Sequence, residues 1–215
     1  MLLPRSWGSQ RGVRTVGSQV SAALVIFVAT IAISLIGLFG APKLIERSLF
    51  RPYWLTRRKE YATVIMSGFV HADLMHLIFN MMTFYFFAFA LERYIGTLQF
   101  LGLYLAGLLI SHAGTYYKQR NNPDYASLGA SGAISAVLFA AIVYFPEQQL
   151  MILPIPIPIP APLFAIGYLA YTYYASRHPQ GRINHDAHLG GAITGLLFVA
   201  LTEPRAYGAL LQSIF

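Results

Sequence analysis

Apolar residues gather into six long runs, near 20–40, 70–91, 98–117, 127–145, 162–176 and 186–202, and the segments between them hold most of the charges. Each run approaches the roughly 20 residues a helix needs to cross the hydrocarbon core of a bilayer. The first, Val20 to Gly40, carries no charge, exceeds the apolar core of a signal peptide and lacks a convincing cleavage site, so it reads as a retained anchor. Before it stand Arg5, Arg11 and Arg14 with no acid among them. A basic flank explains them, with a mitochondrial presequence ranked below it. The pattern predicts an all-α membrane protein: a flank at 1–19, one helical membrane domain at 20–203 and a tail at 204–215.

The connecting segments differ in character. Between the first two runs, "LFRPYWLTRRKEY" mixes aromatic and basic side chains, as a segment lying at the membrane surface does. "LPIPIPIPAP" at 153–162 excludes a helix, because proline at every second position removes donors and clashes with the preceding turn. It is expected to be a stiff, extended linker.

Composition agrees with the pattern. Hydrophobic residues make up 56% of the 215 and charged residues only 11%, which lies outside the range of soluble domains. The formal charge of +7 would suggest nucleic acid in a soluble chain. Here the basic residues flank apolar runs, so lipid headgroups account for them and no nucleic-acid partner is expected. Without cysteine there are no disulfides, iron–sulfur clusters or thiolate zinc sites. With the N-terminus cytoplasmic, most Lys and Arg fall outside, against the usual bias, chiefly because Lys43, Arg47, Arg51, Arg57, Arg58 and Lys59 share one loop.

Consecutive spans alternate in direction, so the second, fourth and sixth begin at one level of the membrane. Their first turns carry the polar residues: His71, His76 and Asn80 in "HADLMHLIFN", Ser131 in "GASG", and His188 in "HDAHLGG". Polar groups inside hydrocarbon are costly unless paired, and they mark functional sites by default. Ser131 between Gly129 and Gly132 would alone be read as a small-residue packing face. Gly191 and Gly195 give the sixth span a smooth stripe below His188, however, and two smooth helices can bring a hydroxyl beside an imidazole. A serine becomes a useful nucleophile when such a base takes its proton. His76 and Asn80, four residues apart, share one helix face and can donate to an oxyanion together with the first-turn amide of Ser131. Either one alone could equally be an interhelical hydrogen bond.

With these three motifs in this order, the chain resembles the rhomboid family of intramembrane serine proteases. The resemblance implies a six-transmembrane-helix rhomboid bundle with an interfacial first loop, and a Ser–His dyad, Ser131 and His188, with no acid. It implies an oxyanion site from His76, Asn80 and the Ser131 amide, with Gly129, Gly132, Gly191, Gly195 and His71 in support. It implies transmembrane protein substrates, the lipid bilayer as surroundings, no metal and no other cofactor. The expected location is the cell membrane, inner or plasma, with the site open to the non-cytoplasmic side. The oligomeric state is not legible.

There are departures from the family pattern. Many members place an aromatic residue one turn after the nucleophile to support the imidazole; here Ser135 stands there, so another side chain must steady His188. Ala62 and Thr63 replace a frequent Trp-Arg pair, and a frequent Glu-x-Arg reads Glu92-Arg93-Tyr94. The segment 176–186 and the tyrosine-rich fifth span, with Tyr168, Tyr171, Tyr173 and Tyr174, are expected to form the gate through which a substrate enters.

Other chemistries fit less well. "GASGA" is not the nucleophile elbow of an α/β-hydrolase, no H-E-x-x-H is present, and Asp73, Asp124 and Asp186 lie at span edges. A metal site from His71, His76, His185 and His188 would leave Ser131 and Asn80 without a reason. A proton-coupled transporter would show inverted repeats and broken helices. The alternative from another class is a non-catalytic relative that binds membrane clients.

Overall fold

The computed structural model describes residues 20–152, 155–178 and 183–214. The flank expected at 1–19 lies outside the described residues. So do Pro179 and Gly181, the turn formers of the expected gate loop.

Helix α1 (Ala22–Phe39) is followed by three short helices, α2 (Pro42–Ser48), α3 (Pro52–Arg57) and α4 (Thr63–Met66). Then come two long helices, α5 (Leu74–Ile95) and α6 (Thr97–Gln119), and α7 (Ser131–Tyr144). Strands β1 (Gln149–Ile152) and β2 (Ile155–Pro160) precede α8 (Ala161–Arg177), α9 (His185–Thr202) and α10 (Ala206–Gln212). Among the described residues, α1, α5 and α6 are long and apolar enough to cross a membrane by length and composition. Large apolar side chains face outward, among them Val28, Ile36, Phe86, Ile110, Ile166 and Leu201, as they do on a lipid-facing surface.

Helix ends show how the sequence sets these elements. The Ser21 hydroxyl caps α1 by accepting from the Leu24 amide. The buried Glu92 carboxylate, from the last turn of α5, accepts from the amides of Ala22 (2.8 Å) and Ala23 (3.1 Å) and from the Ser21 hydroxyl. It thereby satisfies orphan donors and meets the positive end of the helix dipole. Asp73 caps α5, its carboxylate accepting from the His76 amide at 2.8 Å. Gly96 alone separates α5 from α6; its φ of 87° is open to glycine and strained for other residues.

At the centre stands α7, buried from Gly132 to Val143. Its uniformly apolar surface is the signature of a helix enclosed on all sides. It packs on α6 and α9 through small residues. A Cβ added at Gly107 would lie 2.6 Å from the Ala136 Cβ, and one at Gly195 would lie 2.3 Å from the Ala136 carbonyl oxygen. Such surfaces let backbones meet where no larger side chain intervenes.

The Pro-alternating stretch is extended, as expected, but it also pairs. β2 runs antiparallel to β1, with Leu150 opposite Ile159 and Met151 opposite Pro158. The expectation of an entirely α chain is amended accordingly. The Ala161 amide donates to the Gln148 carbonyl at 2.9 Å, so odd-numbered N–H groups turn toward β1. The even-numbered prolines, which lack a donor, turn their nitrogens to the open edge, the place where a strand tolerates proline. In the segment read as a tail, α10 packs against the bundle, with the Tyr207 hydroxyl donating to the Leu196 carbonyl at 2.7 Å.

Candidate active site

The first loop is laced to the chain that leads into α7. Phe50 and Ser127 exchange backbone hydrogen bonds at 3.0 Å, and the Gly129 amide donates to the Ser67 carbonyl at 2.8 Å. Gly129 then turns with a φ of 117°, Ala130 follows, and Ser131 is the first residue of α7. Its amide is therefore one of the first-turn donors without an intrahelical partner.

His76 sits against this turn. A Cβ on Gly129 would lie 2.5 Å from His76 Cε1 and 2.9 Å from Nε2, so the imidazole occupies the space that the missing side chain leaves. Asn80, buried one helical turn further on, donates through Nδ2 to the His76 carbonyl at 3.0 Å. That bond uses one of its two amide hydrogens. His71 lies behind His76, ring centroids 4.9 Å apart and edge to face. It is fully buried, its Nδ1 within 3.1 Å of the Ser34 hydroxyl on α1. It borders His76, with no hydrogen bond to the α7 turn.

On the opposite flank, the first turn of α9 lies on the first turn of α7. A Cβ on Gly132 would stand 3.3 Å from the Ala187 carbonyl oxygen, and one on Gly191 would stand 2.0 Å from the Gly132 carbonyl oxygen. His188 follows Ala187 in this first turn of α9, as Ser131 precedes Gly132 in that of α7. Its Nδ1 is 3.1 Å from the Tyr168 hydroxyl of α8, with the two rings inclined by only 18°. Among the described residues the Ser131 hydroxyl makes no hydrogen bond to His188 or to any other side chain; it borders a narrow cleft of about 20 Å³. That is room for about one water.

Asn184 Oδ1 caps α9 by accepting from the Ala187 amide at 3.1 Å, while its Nδ2 donates to Thr115 Oγ1 of α6 at 3.0 Å. Lys118 of α6 pairs with Asp186 at 2.9 Å and donates to the Ser176 carbonyl of α8 at 2.6 Å. These contacts fix the height and rotation of the turn that bears His188.

Two side chains at the site escape a reading of first turns. His112 of α6 lines the cleft, with Nε2 2.9 Å from the Ser67 hydroxyl and Nδ1 2.7 Å from the Leu108 carbonyl. Since a carbonyl only accepts, Nδ1 carries the proton and the Ser67 hydroxyl donates to Nε2. The other is Tyr168. His112 lies in the last third of α6 and Tyr168 in the middle of α8, so a search of helix starts passes over both.

The rhomboid domain family model matches residues 58–205. The chain belongs to the rhomboid family. It is 33% identical over 138 residues to the zebrafish (Danio rerio) presenilin-associated rhomboid-like protein A, mitochondrial, covering 63% of this chain and 36% of that protein. Identity is 29% over 198 residues with the human presenilin-associated rhomboid-like protein, mitochondrial, covering 87% of this chain and 48% of the relative. With rhomboid protein 1, mitochondrial, of Saccharomyces cerevisiae it is 29% over 185 residues, 81% of this chain and 52% of the relative. The chain thus spans about half the length, or less, of these curated relatives. All three are mitochondrial by name, which overturns the expectation of a cell membrane, inner or plasma, for this rhomboid chain. Its multi-pass membrane character stands on the apolar helices and on the family.

Proposed function

We propose that this rhomboid chain is an intramembrane serine protease of a mitochondrial membrane, cutting peptide bonds in or near transmembrane segments of other proteins. Six helices, α1 and α5 to α9, cross the bilayer, and the first loop lies at its surface. The 14 residues of α7 extend about 21 Å at 1.5 Å per residue, some 9 Å short of a hydrocarbon core of about 30 Å. We place this shortfall at the head of α7, which recesses Ser131 below the membrane surface.

His188 Nε2 takes the Ser131 hydroxyl proton as Oγ adds to the scissile carbonyl carbon. The carbonyl oxygen gains the negative charge, held by the Ser131 amide, an N–H of His76 and the second amide hydrogen of Asn80. Collapse breaks the C–N bond and the amine leaves with the proton from His188. A water then attacks the acyl-Ser131 ester with the same base, releasing the acid and restoring the hydroxyl.

The observation that carries this reading is the convergence of three first turns: His76 in the space at Gly129, and Ala187, the residue before His188, against Gly132. The free Ser131 hydroxyl favours one competitor, a non-catalytic client-binding rhomboid. Covalent labelling by a fluorophosphonate distinguishes the two. The protease reacts at Ser131, and Ser131→Ala does not; a wild-type chain that stays unlabelled when folded would return the reading to client binding.

A further inference from the structure

In this chain the position one turn after the nucleophile is Ser135, and it has no room for an aromatic ring. Ser135 is buried, and a Cβ on the facing Gly191 would already stand 3.0 Å from its own Cβ. The ring that reaches His188 comes instead from another helix. Tyr168 of α8 is packed between Phe139, with centroids 5.5 Å apart, and Phe164, at 5.6 Å. Its hydroxyl meets His188 Nδ1 at 3.1 Å and lies 3.5 Å from Ser135 Oγ.

We propose that Tyr168 is the positioning residue of His188, and that its seat on α8 makes closure of that helix a condition of catalysis. The proposal rests on the protease reading above. With His188 Nδ1–H donating to the phenol oxygen, the imidazole is held in the tautomer whose Nε2 lone pair is free for the Ser131 proton. The phenol hydrogen is left to point toward Ser135. Phenol and hydroxyl thus do together, without charge, what an acid does in a triad.

The location is what sets this arrangement apart. Of the 17 residues of α8, only Ala161, Pro162, Thr172, Ala175 and Ser176 are buried. Leu163, Ile166 and Tyr171 are about 60% exposed, so little packing resists a sideways displacement of the helix. A displacement that admits a substrate also withdraws the phenol and leaves the imidazole free to turn. Cutting then waits until α8 has closed again on the bound segment.

Tyr168→Phe tests this in the full-length chain, because it keeps the packed ring and removes only the hydroxyl. The melting temperature and the KM for a transmembrane reporter should stay at wild-type values. Both kcat and the rate of Ser131 labelling by a small fluorophosphonate should fall about five- to tenfold, the size of one neutral hydrogen bond. Tyr168→Ala, which also removes the stacking, should fall further. If Tyr168→Phe kept wild-type kcat and labelling rate, or lost melting temperature and kcat together, Tyr168 would be a packing residue and the proposal overturned. Failure of the wild-type chain to label would instead remove the protease reading beneath it.

Discussion

Gly191 and Gly132 touch backbone to backbone: a Cβ on the first would stand 2.0 Å from the carbonyl oxygen of the second. One turn further along α9, Gly195 meets the Ala136 carbonyl in the same way, at 2.3 Å. This seam sets the distance between the helices that bear Ser131 and His188. Gly195→Val should therefore push α9 outward, destabilise the bundle by about 1–3 kcal/mol as overpacking does, and lower activity by moving His188. Thermal melting and reporter cleavage read the two effects. Wild-type values of both would mean that the stripe bears no packing load.

Gly129 is constrained twice, by its φ of 117° and by the His76 imidazole in the place of its side chain. Gly129→Ala strains the turn and expels the ring. A strained left-handed residue costs on the order of 1–3 kcal/mol. Activity should fall well beyond that loss, because the turn carries the proposed nucleophile and the ring is a proposed oxyanion donor. A variant that melts lower yet cleaves at the wild-type rate would remove His76 from the chemistry.

Among the described residues, the Asn80 side chain makes only a bond within its own helix, to the His76 carbonyl. If its second amide hydrogen holds the oxyanion, Asn80→Ala should lower kcat by about 100- to 1000-fold with little change in KM. A rise in KM alone would make Asn80 a substrate-binding or packing residue.

Much of this architecture is legible in the sequence. The apolar runs predict spans near 98–117 and 186–202, and the helices are Thr97–Gln119 and His185–Thr202. The pairing of "IPIPIP" is not legible, because proline argues against a strand until one asks which way the alternate nitrogens face. For the candidate site, the first turns of the even-numbered runs offer Ser131, His188, His76 and Asn80. Ser34, His112 and the Tyr168–His188 contact lie away from helix starts, and for that reason they are missed. Which ring reaches an imidazole depends on helix rotation and separation, and both are set by glycine contacts spread over three helices.

On the proposed protease reading a substrate helix enters sideways, and of the long helices α8 has the fewest buried positions, five against six in α1. Because the chain has no cysteine, a disulfide engineered between α8 and α5 would be its only crosslink. Cleavage of a membrane-embedded reporter should stop in the oxidised protein and return on reduction, while a small fluorophosphonate still reaches Ser131. Normal cleavage by the oxidised protein would mean entry from above, through the loop between α8 and α9.

The central claim is that Ser131 and His188 act as one unit on a peptide bond in the membrane. The most direct measurement is cleavage of a transmembrane reporter by the purified chain in liposomes, with fragment masses locating the cut. Wild type, Ser131→Ala, His188→Ala and the double variant are compared. Wild type should yield two fragments whose masses sum to the reporter plus one water. Each single variant should lose nearly all activity while remaining folded, and the double should be no worse than either. Substantial cleavage by either single variant, or none by a folded wild-type chain across a panel of reporters, would contradict the account.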